Sequence, residues 1–263
     1  MTASRMEGRG DRMLKVEKTV LPSPEQWEII IEGMRNPKNS WDKMDSHGEM
    51  IEYDGMWLGQ DPDKYTIGNN DLKLMTSLAK GGPVHAKYRR MIPVFVTINA
   101  PLYWWKEFDT YKVGTVANSC STMHKIHDKE FTRDDFSCEH MVGHSLARLD
   151  DTIELMNYWR DLFINGDEIE PGTQIPTTRL ECHSMTKKDA WWQMIQLLPS
   201  SYNQKRTIML NYEVLAGIYP MRKNHKLDEW HDFCDWIKSL PYSEIIVGWD
   251  EALGNETDMP KEK

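Results

Sequence analysis

The chain has 263 residues, 28% of them charged and 40% hydrophobic, with a formal net charge of −9. That length can bury a sizeable core, and the acidic balance argues against a nucleic-acid polymer as partner, which needs a basic stripe. A single nucleotide needs only a few local cations and is not excluded. No apolar run approaches the roughly 20 residues of a membrane helix, and Met1 to Lys18 lacks the apolar core of a secretory signal. The four cysteines, Cys120, Cys138, Cys182 and Cys234, form no CxxC pair. A reduced, cytoplasmic protein with no membrane contact is the expectation.

Residues 1–22 read as a flexible arm. A first helix is predicted from Ser23 to Met34: Pro24 suits a first turn, and Trp27, Ile30, Ile31 and Met34 recur at helical spacing. Residues 35–68 are rich in Gly, Asp, Asn and Pro and read as an irregular insertion. Asn70 to Ala79 reads as a helix that Gly81-Gly82 stops. Arg90 to Ala100 reads as a strand buried on both faces, and Pro101 opens a helix through Phe108. Long helical patterns follow over Asp134–Asn165, Lys187–Leu198, Tyr202–Tyr219 and Leu227–Leu240, the last two separated around Pro220-Met221-Arg222. Residues 254–263 read as a disordered tail. The sum is an α+β fold, helix-rich with a small sheet, in a single domain over residues 23–253.

The apolar strand Val94-Phe95-Val96-Thr97-Ile98-Asn99, then Ala100-Pro101 and an aromatic helix start, leads into Thr110-Tyr111-Lys112-Val113-Gly114-Thr115 and on to Cys120. This succession resembles the core of the flavin-dependent thymidylate synthases. In that family an Ala-Pro helix leads into Arg-His-Arg-x-x-Ser and then Asn-Glu-x-Ser-x-Arg. The resemblance covers Asn69–Met123 and Leu197–Leu240, where Leu198-Pro199, Asn211 and Arg222 keep the family spacing and His225 and Trp230 follow with small shifts. The charged residues of the signature are exchanged: Thr110, Tyr111 and Lys112 replace Arg-His-Arg, and Thr115 replaces Ser. Downstream, Ala117 and Asn118 replace Asn-Glu, Cys120 the substrate-side Ser, and Thr122 the phosphate-binding Arg. Upstream, His85 falls on the first family histidine, with Arg90 and Met91 on the later acid and histidine, and Ile195 on a family Arg.

The resemblance implies a synthase-like enzyme modifying C5 of a pyrimidine deoxynucleotide, dUMP or a related one, with FAD as cofactor and NADPH and methylenetetrahydrofolate as co-substrates. It implies a homotetramer with sites built from several chains. By position, His85, Lys112, Thr115, Asn118, Asn211 and His225 would hold the cofactor. Glu107, Cys120, Ser121, Thr122 and Arg222 would hold the nucleotide, with Cys120 and Arg222 as the catalytic pair. Of the family's cations only Lys112 and Arg222 remain, unless Arg89 or Arg90 compensates, and Lys is not a bidentate phosphate partner. The alternative implied by these losses is a non-catalytic nucleotide-binding homologue acting as a regulator or partner subunit.

Each residue also has a plainer role. Arg222 could bind helix-end carbonyls. Asn211, read as mid-helix among apolar residues, needs some polar partner, and the Trp104-Trp105 and Trp191-Trp192 pairs suit a core. A further pattern is independent of the resemblance. His124, His127, Cys138, His140 and His144 cluster, the last two histidines at i, i+4. Such spacing suits zinc but lacks the Glu of H-E-x-x-H, and no metal site is assigned to it. GxGxxG and GxxxxGK[ST] loops are absent from the sequence.

Overall fold

A computed structural model describes residues 14–166 and 186–252. Residues 1–13 of the expected arm, the expected tail at 254–263, and Cys182 lie outside them. The described chain is helix-rich with small sheets. Strand β1 (Lys15–Val20) is followed by helix α1 (Pro24–Arg35), hairpin strands β2 (His47–Tyr53) and β3 (Met56–Thr66), and helix α2 (Asn69–Lys80). Strand β4 (Pro93–Pro101), helix α3 (Leu102–Phe108), strand β5 (Val116–Ser119) and helices α4 (Gly143–Asn165) and α5 (Lys187–Leu197) come next. Strand β6 (Asn203–Asn211) and helices α6 (Tyr212–Arg222), α7 (Asp228–Ser239), α8 (Glu244–Val247) and α9 (Trp249–Ala252) complete it. One sheet has the order β1-β4-β6-β5, and β2 and β3 form a second.

The chain groups into two compact units. The first comprises Met1–Ile98, Phe108–Asn118 and Thr207–Lys263, the second Asn99–Glu107 and Ser119–Arg206. In the first unit α1 begins as its sequence dictates. Ser23 accepts from the Gln26 N–H while Gln26 Oε1 accepts from the Ser23 N–H, and Pro24 occupies the first turn. Trp27, Ile30, Ile31 and Met34 turn inward. The cap of α2 comes from elsewhere: Asp45 accepts from the Asn70 and Asp71 N–H groups at 2.9 and 3.0 Å. Gly68 at the cap position must be glycine, because a Cβ there would fall 2.2–2.4 Å from Asp45 atoms. This core also holds Val94, Val96, Ile98, Ile208, Leu210, Leu215, Trp230, Phe233 and Ile237. In the second unit α4 and α5 bury Leu149, Ile153, Met156, Trp159, Ala190 and Met194 against Ile126, Phe131 and Phe136.

Several expectations are corrected. A stretch of the expected arm is strand β1, on the edge of the four-stranded sheet. The insertion at 35–68 holds an antiparallel hairpin, turned by Asp54 (φ 49°) and Gly55 (φ 75°), the backbone signature of a tight hairpin turn. β4 is buried on one face rather than two: Val94, Val96, Ile98 and Ala100 point in, whereas Phe95 is 48% exposed. The pattern from Asp134 becomes a helix only at Gly143. The helix expected from Tyr202 is strand β6, with Gln204, Ile208 and Leu210 inward at alternate positions. Pro220 does not separate helices; it lies inside α6, which runs on to Arg222.

Candidate functional site

The loop after α3 carries the first unit's candidates. The Tyr111 N–H bonds the Phe108 carbonyl at 3.0 Å, and the Thr115 N–H turns back to the Lys112 carbonyl at 3.3 Å. Gly114 (φ 78°) lets this turn lie on the start of α6, where an added Cβ would meet Val214 Cγ2 at 3.0 Å and Asn211 Nδ2 at 3.4 Å. Asn211 is therefore no mid-helix residue. It is the N-cap of α6, and its Oδ1 accepts from the Val214 N–H at 3.0 Å. Lys112 and Asn118 are exposed. Thr115 Oγ1 is enclosed and has no hydrogen-bond partner. Gly114→Ala should lower the melting temperature by about 2–8 °C, from about 1–2 kcal/mol of backbone and contact strain. Thermal unfolding checks it; an unchanged midpoint would mean that the loop yields freely.

Arg222, at the last turn of α6, meets this loop. Its Nε donates to Tyr111 Oη at 2.8 Å. Its guanidinium lies 4.5 Å from the Trp230 ring centroid and 5.5 Å from that of Tyr111. The two rings meet edge to face at 6.1 Å, and Phe108 stacks on Trp230 at 6.4 Å. An arginine held on two aromatic faces is fixed in direction and desolvated on one side, which strengthens its attraction for an anion. His225 joins the group: its ring lies 6.2 Å from Trp230, and its Nδ1 accepts from the Leu227 N–H at 3.2 Å. Nε2 is then the nitrogen that carries the proton when the ring is neutral. The structure thus brings Lys112, Thr115, Asn211, Arg222 and His225 to one loop and its neighbours.

His85 is not among them. It is exposed, its N–H bonds the Gly82 carbonyl, and its ring packs at the C-terminal end of α2. Arg89 is buried and engaged by Glu213, Nη1 to Oε2 at 3.5 Å, with Nε enclosed and unpaired. Arg90 is exposed. The grooves on α2, ≈ 420 and ≈ 770 Å³, are lined by none of the candidate residues.

The second unit holds Glu107, half-buried on α3, and the run Cys120-Ser121-Thr122. Cys120 is exposed. Its backbone is pinned at both ends: the N–H donates to the Lys205 carbonyl at 2.9 Å, and the carbonyl accepts from Gln204 Nε2 at 2.7 Å. Ser121 Oγ accepts from the N–H groups of Met123 and His124, at 3.3 and 2.8 Å. That is a local turn role, and it occupies the hydroxyl. Burial raises the thiols of Cys138 and Cys234, the latter to about 12, so both hold their protons near neutrality. Among the described residues no group of three His, Cys, Asp or Glu side chains is placed to hold a metal ion.

Two features here were not legible in the sequence. Tyr111 and Trp230 form the holder of Arg222, and 111 residues separate Tyr111 from Arg222, so no local spacing could pair them. In the second unit Arg206 stacks on Trp105 at 4.4 Å and donates to Gln204 Oε1 at 2.9 Å, while Trp105 Nε1 donates to the Gln204 carbonyl. The β-strand alternation that places Gln204 and Arg206 on one side was the only available signal.

No described helix is long and apolar enough to cross a membrane. No family model matches the chain, and no curated protein matches it by sequence. Solved structures do. Two crystal structures of the flavin-dependent thymidylate synthase ThyX from Helicobacter pylori, each with FAD and dUMP, superpose with a TM-score of 0.51 at 14% identity. The match covers 91% of this chain and 99% and 98% of theirs. What the chain shares with them is the fold, an α+β architecture like that of the flavin-dependent thymidylate synthases.

Proposed function

We propose that this chain binds FAD and a pyrimidine deoxynucleotide and modifies C5 of that nucleotide, dUMP or a relative, using methylenetetrahydrofolate as one-carbon donor and NADPH as reductant. The observation that carries the reading is the Arg222 guanidinium, held by Tyr111 and Trp230 beside the loop 109–115, in a chain whose fold is that of FAD- and dUMP-bound structures. The donor set suits such ligands. Lys112 offers an exposed ammonium, Asn118 an exposed amide, and Thr115 an enclosed hydroxyl without a partner. These three and His225 would hold the flavin, with Asn211 fixing the helix start beneath them.

When bound, FAD supplies hydride-carrying chemistry. The chain's own residues bind and orient. Arg222 places positive charge against the phosphate or a ring carbonyl of the nucleotide, where it stabilises negative charge that grows during reaction. Tyr111 and Trp230 fix its direction, which avoids reorganisation at that moment. Cys120, Thr122 and Glu107 belong to the nucleotide side of this reading, and Cys120 offers an exposed thiol. The working form would be a cytoplasmic homotetramer.

A second reading is favoured by the missing cations. Thr110 and Thr122 stand where the family carries arginines. On that reading the chain is a non-catalytic nucleotide-binding homologue, a regulator or partner subunit. Tritium release from C5-labelled dUMP, with FAD, NADPH and methylenetetrahydrofolate present, distinguishes them. The expected turnover on dUMP is several powers of ten below that of an ordinary thymidylate synthase, because each lost charge-assisted contact removes energy of order kcal/mol. Turnover on another pyrimidine nucleotide with dUMP inert would support the enzyme. Nucleotide binding without release from any pyrimidine would support the non-catalytic reading, and ordinary turnover on dUMP would show that the signature can be replaced.

A further inference from the structure

The hairpin β2–β3 carries six large apolar side chains in the open: Met50, Ile51, Tyr53, Met56, Trp57 and Leu58 are 39–71% exposed. They are contiguous along the hairpin and occupy both of its faces, since Glu52 faces Trp57 and Tyr53 faces Met56 in the ladder. A sheet of two strands is marginal in water, and a third strand or a covered face is what makes one persist. A patch of this kind marks an interaction surface.

The two outer edges of the hairpin differ. Both irregularities of the ladder are carried by β3. Leu58 is extra between the pairs Ile51–Gly59 and Glu52–Trp57, and residues 61–64 are extra opposite Glu49. Pro62 also removes an N–H from that strand. Bulges and proline are the devices that close an edge to pairing. β2, His47-Gly48-Glu49-Met50-Ile51-Glu52-Tyr53, carries neither.

We propose that β2 pairs antiparallel with β2 of a second copy of this chain, about a two-fold axis at Met50, to make a four-stranded sheet. In that register the sequence of β2 pairs with itself without a clash of charge. Met50 lies opposite the second copy's Met50, Ile51 opposite Glu49, Gly48 opposite Glu52, and His47 opposite Tyr53. No carboxylate faces another, whereas a register centred one residue earlier would place Glu49 against Glu49. A two-fold contact uses the same patch on both copies, and the pairing places each apolar tip beside the base of the other hairpin. Trp41, 50% exposed, precedes that base in the chain. The proposal does not rest on the nucleotide reading.

The test combines mass and cross-linking on the full-length protein. Met50→Lys places two ammonium groups against each other at the axis. At about 10 μM its light-scattering mass should be half that of the wild type, with the helical circular dichroism and melting temperature retained. Met50→Cys, in a Cys120→Ser background, should form an intermolecular disulfide under mild oxidation. Tyr53→Cys in the same background should form far less, because Tyr53 faces His47. A monomeric wild type, or an assembled Met50→Lys variant of unchanged mass, would overturn the proposal. Equal cross-linking at positions 50 and 53 would overturn the register. If Met50→Lys fails to fold, the pair of cysteine variants decides alone. A wild type that assembles only on addition of a different, basic protein would replace the second copy by that partner.

Discussion

Arg222→Ala is expected to weaken pyrimidine-nucleotide binding by about 10- to 150-fold, the loss of one charge-assisted contact of roughly 1.5–3 kcal/mol. Groups of the protein itself seat the guanidinium. It rests on Trp230 at 4.5 Å and bonds Tyr111 at 2.8 Å, so its removal also costs about 0.5–2 kcal/mol of apo stability, a fall of a few degrees in melting temperature. Arg222→Lys separates the two effects. It keeps the charge but loses the planar stack and the Nε donor, so it should restore only a fraction of the affinity. Tyr111→Phe should retain the stack and lose the bond, with a smaller fall in affinity. Titration calorimetry with dUMP reads all three. Equal affinity in wild type and Arg222→Ala would reject the role, and a collapsed apo protein would make Arg222 a structural clamp of the α6 end.

Asp71→Ala should be the most damaging single change to the fold itself, by about 3–5 kcal/mol. Asp71 is fully buried, and its partner Arg35 is 3% exposed. Its carboxylate also accepts from the Asp45 and Ser46 N–H groups at 3.0 and 2.9 Å and from Ser46 Oγ at 2.6 Å. Arg35 in turn donates to the carbonyls of Ser40 and Lys43 at 3.1 and 2.9 Å. This network ties the segment after α1 to the start of α2. Removing the carboxylate leaves a buried guanidinium uncompensated and two N–H groups without an acceptor. The melting temperature should drop by about 6–20 °C. Replacing both partners, Arg35→Met with Asp71→Leu, should cost less than the sum of the single changes. A loss below about 1 kcal/mol in Asp71→Ala would show that water enters the site.

The sequence carried the helices whose apolar stripe and cap agree. α1, α2, α5 and α7 begin and end within two residues of expectation, because Ser23 and Gly81 punctuate them and their inward residues keep a helical period. Strand β6 reads as a helix because its apolar residues run straight into those of α6, with no Gly or Pro between Asn203 and Ala216. Tertiary pairing with β4 and β5 decided its form. The hairpin had its own turn signal, Asp54-Gly55, hidden among other glycines and aspartates. For the candidate site, the resemblance picked out Arg222, Asn211 and His225, and the fold brings them beside one loop. The spacing could not show that Asn211 caps a helix, nor that Tyr111 binds Arg222. The first depends on where β6 gives way to α6, the second on two side chains 111 residues apart.

Flavin binding is the central claim, and the absorbance spectrum of the purified protein tests it most directly. The account predicts a flavin band, either as purified or retained after FAD is added and free ligand removed, with a spectral shift when dUMP follows. A colourless protein that shows neither a spectral nor a thermal-shift response to FAD would contradict it.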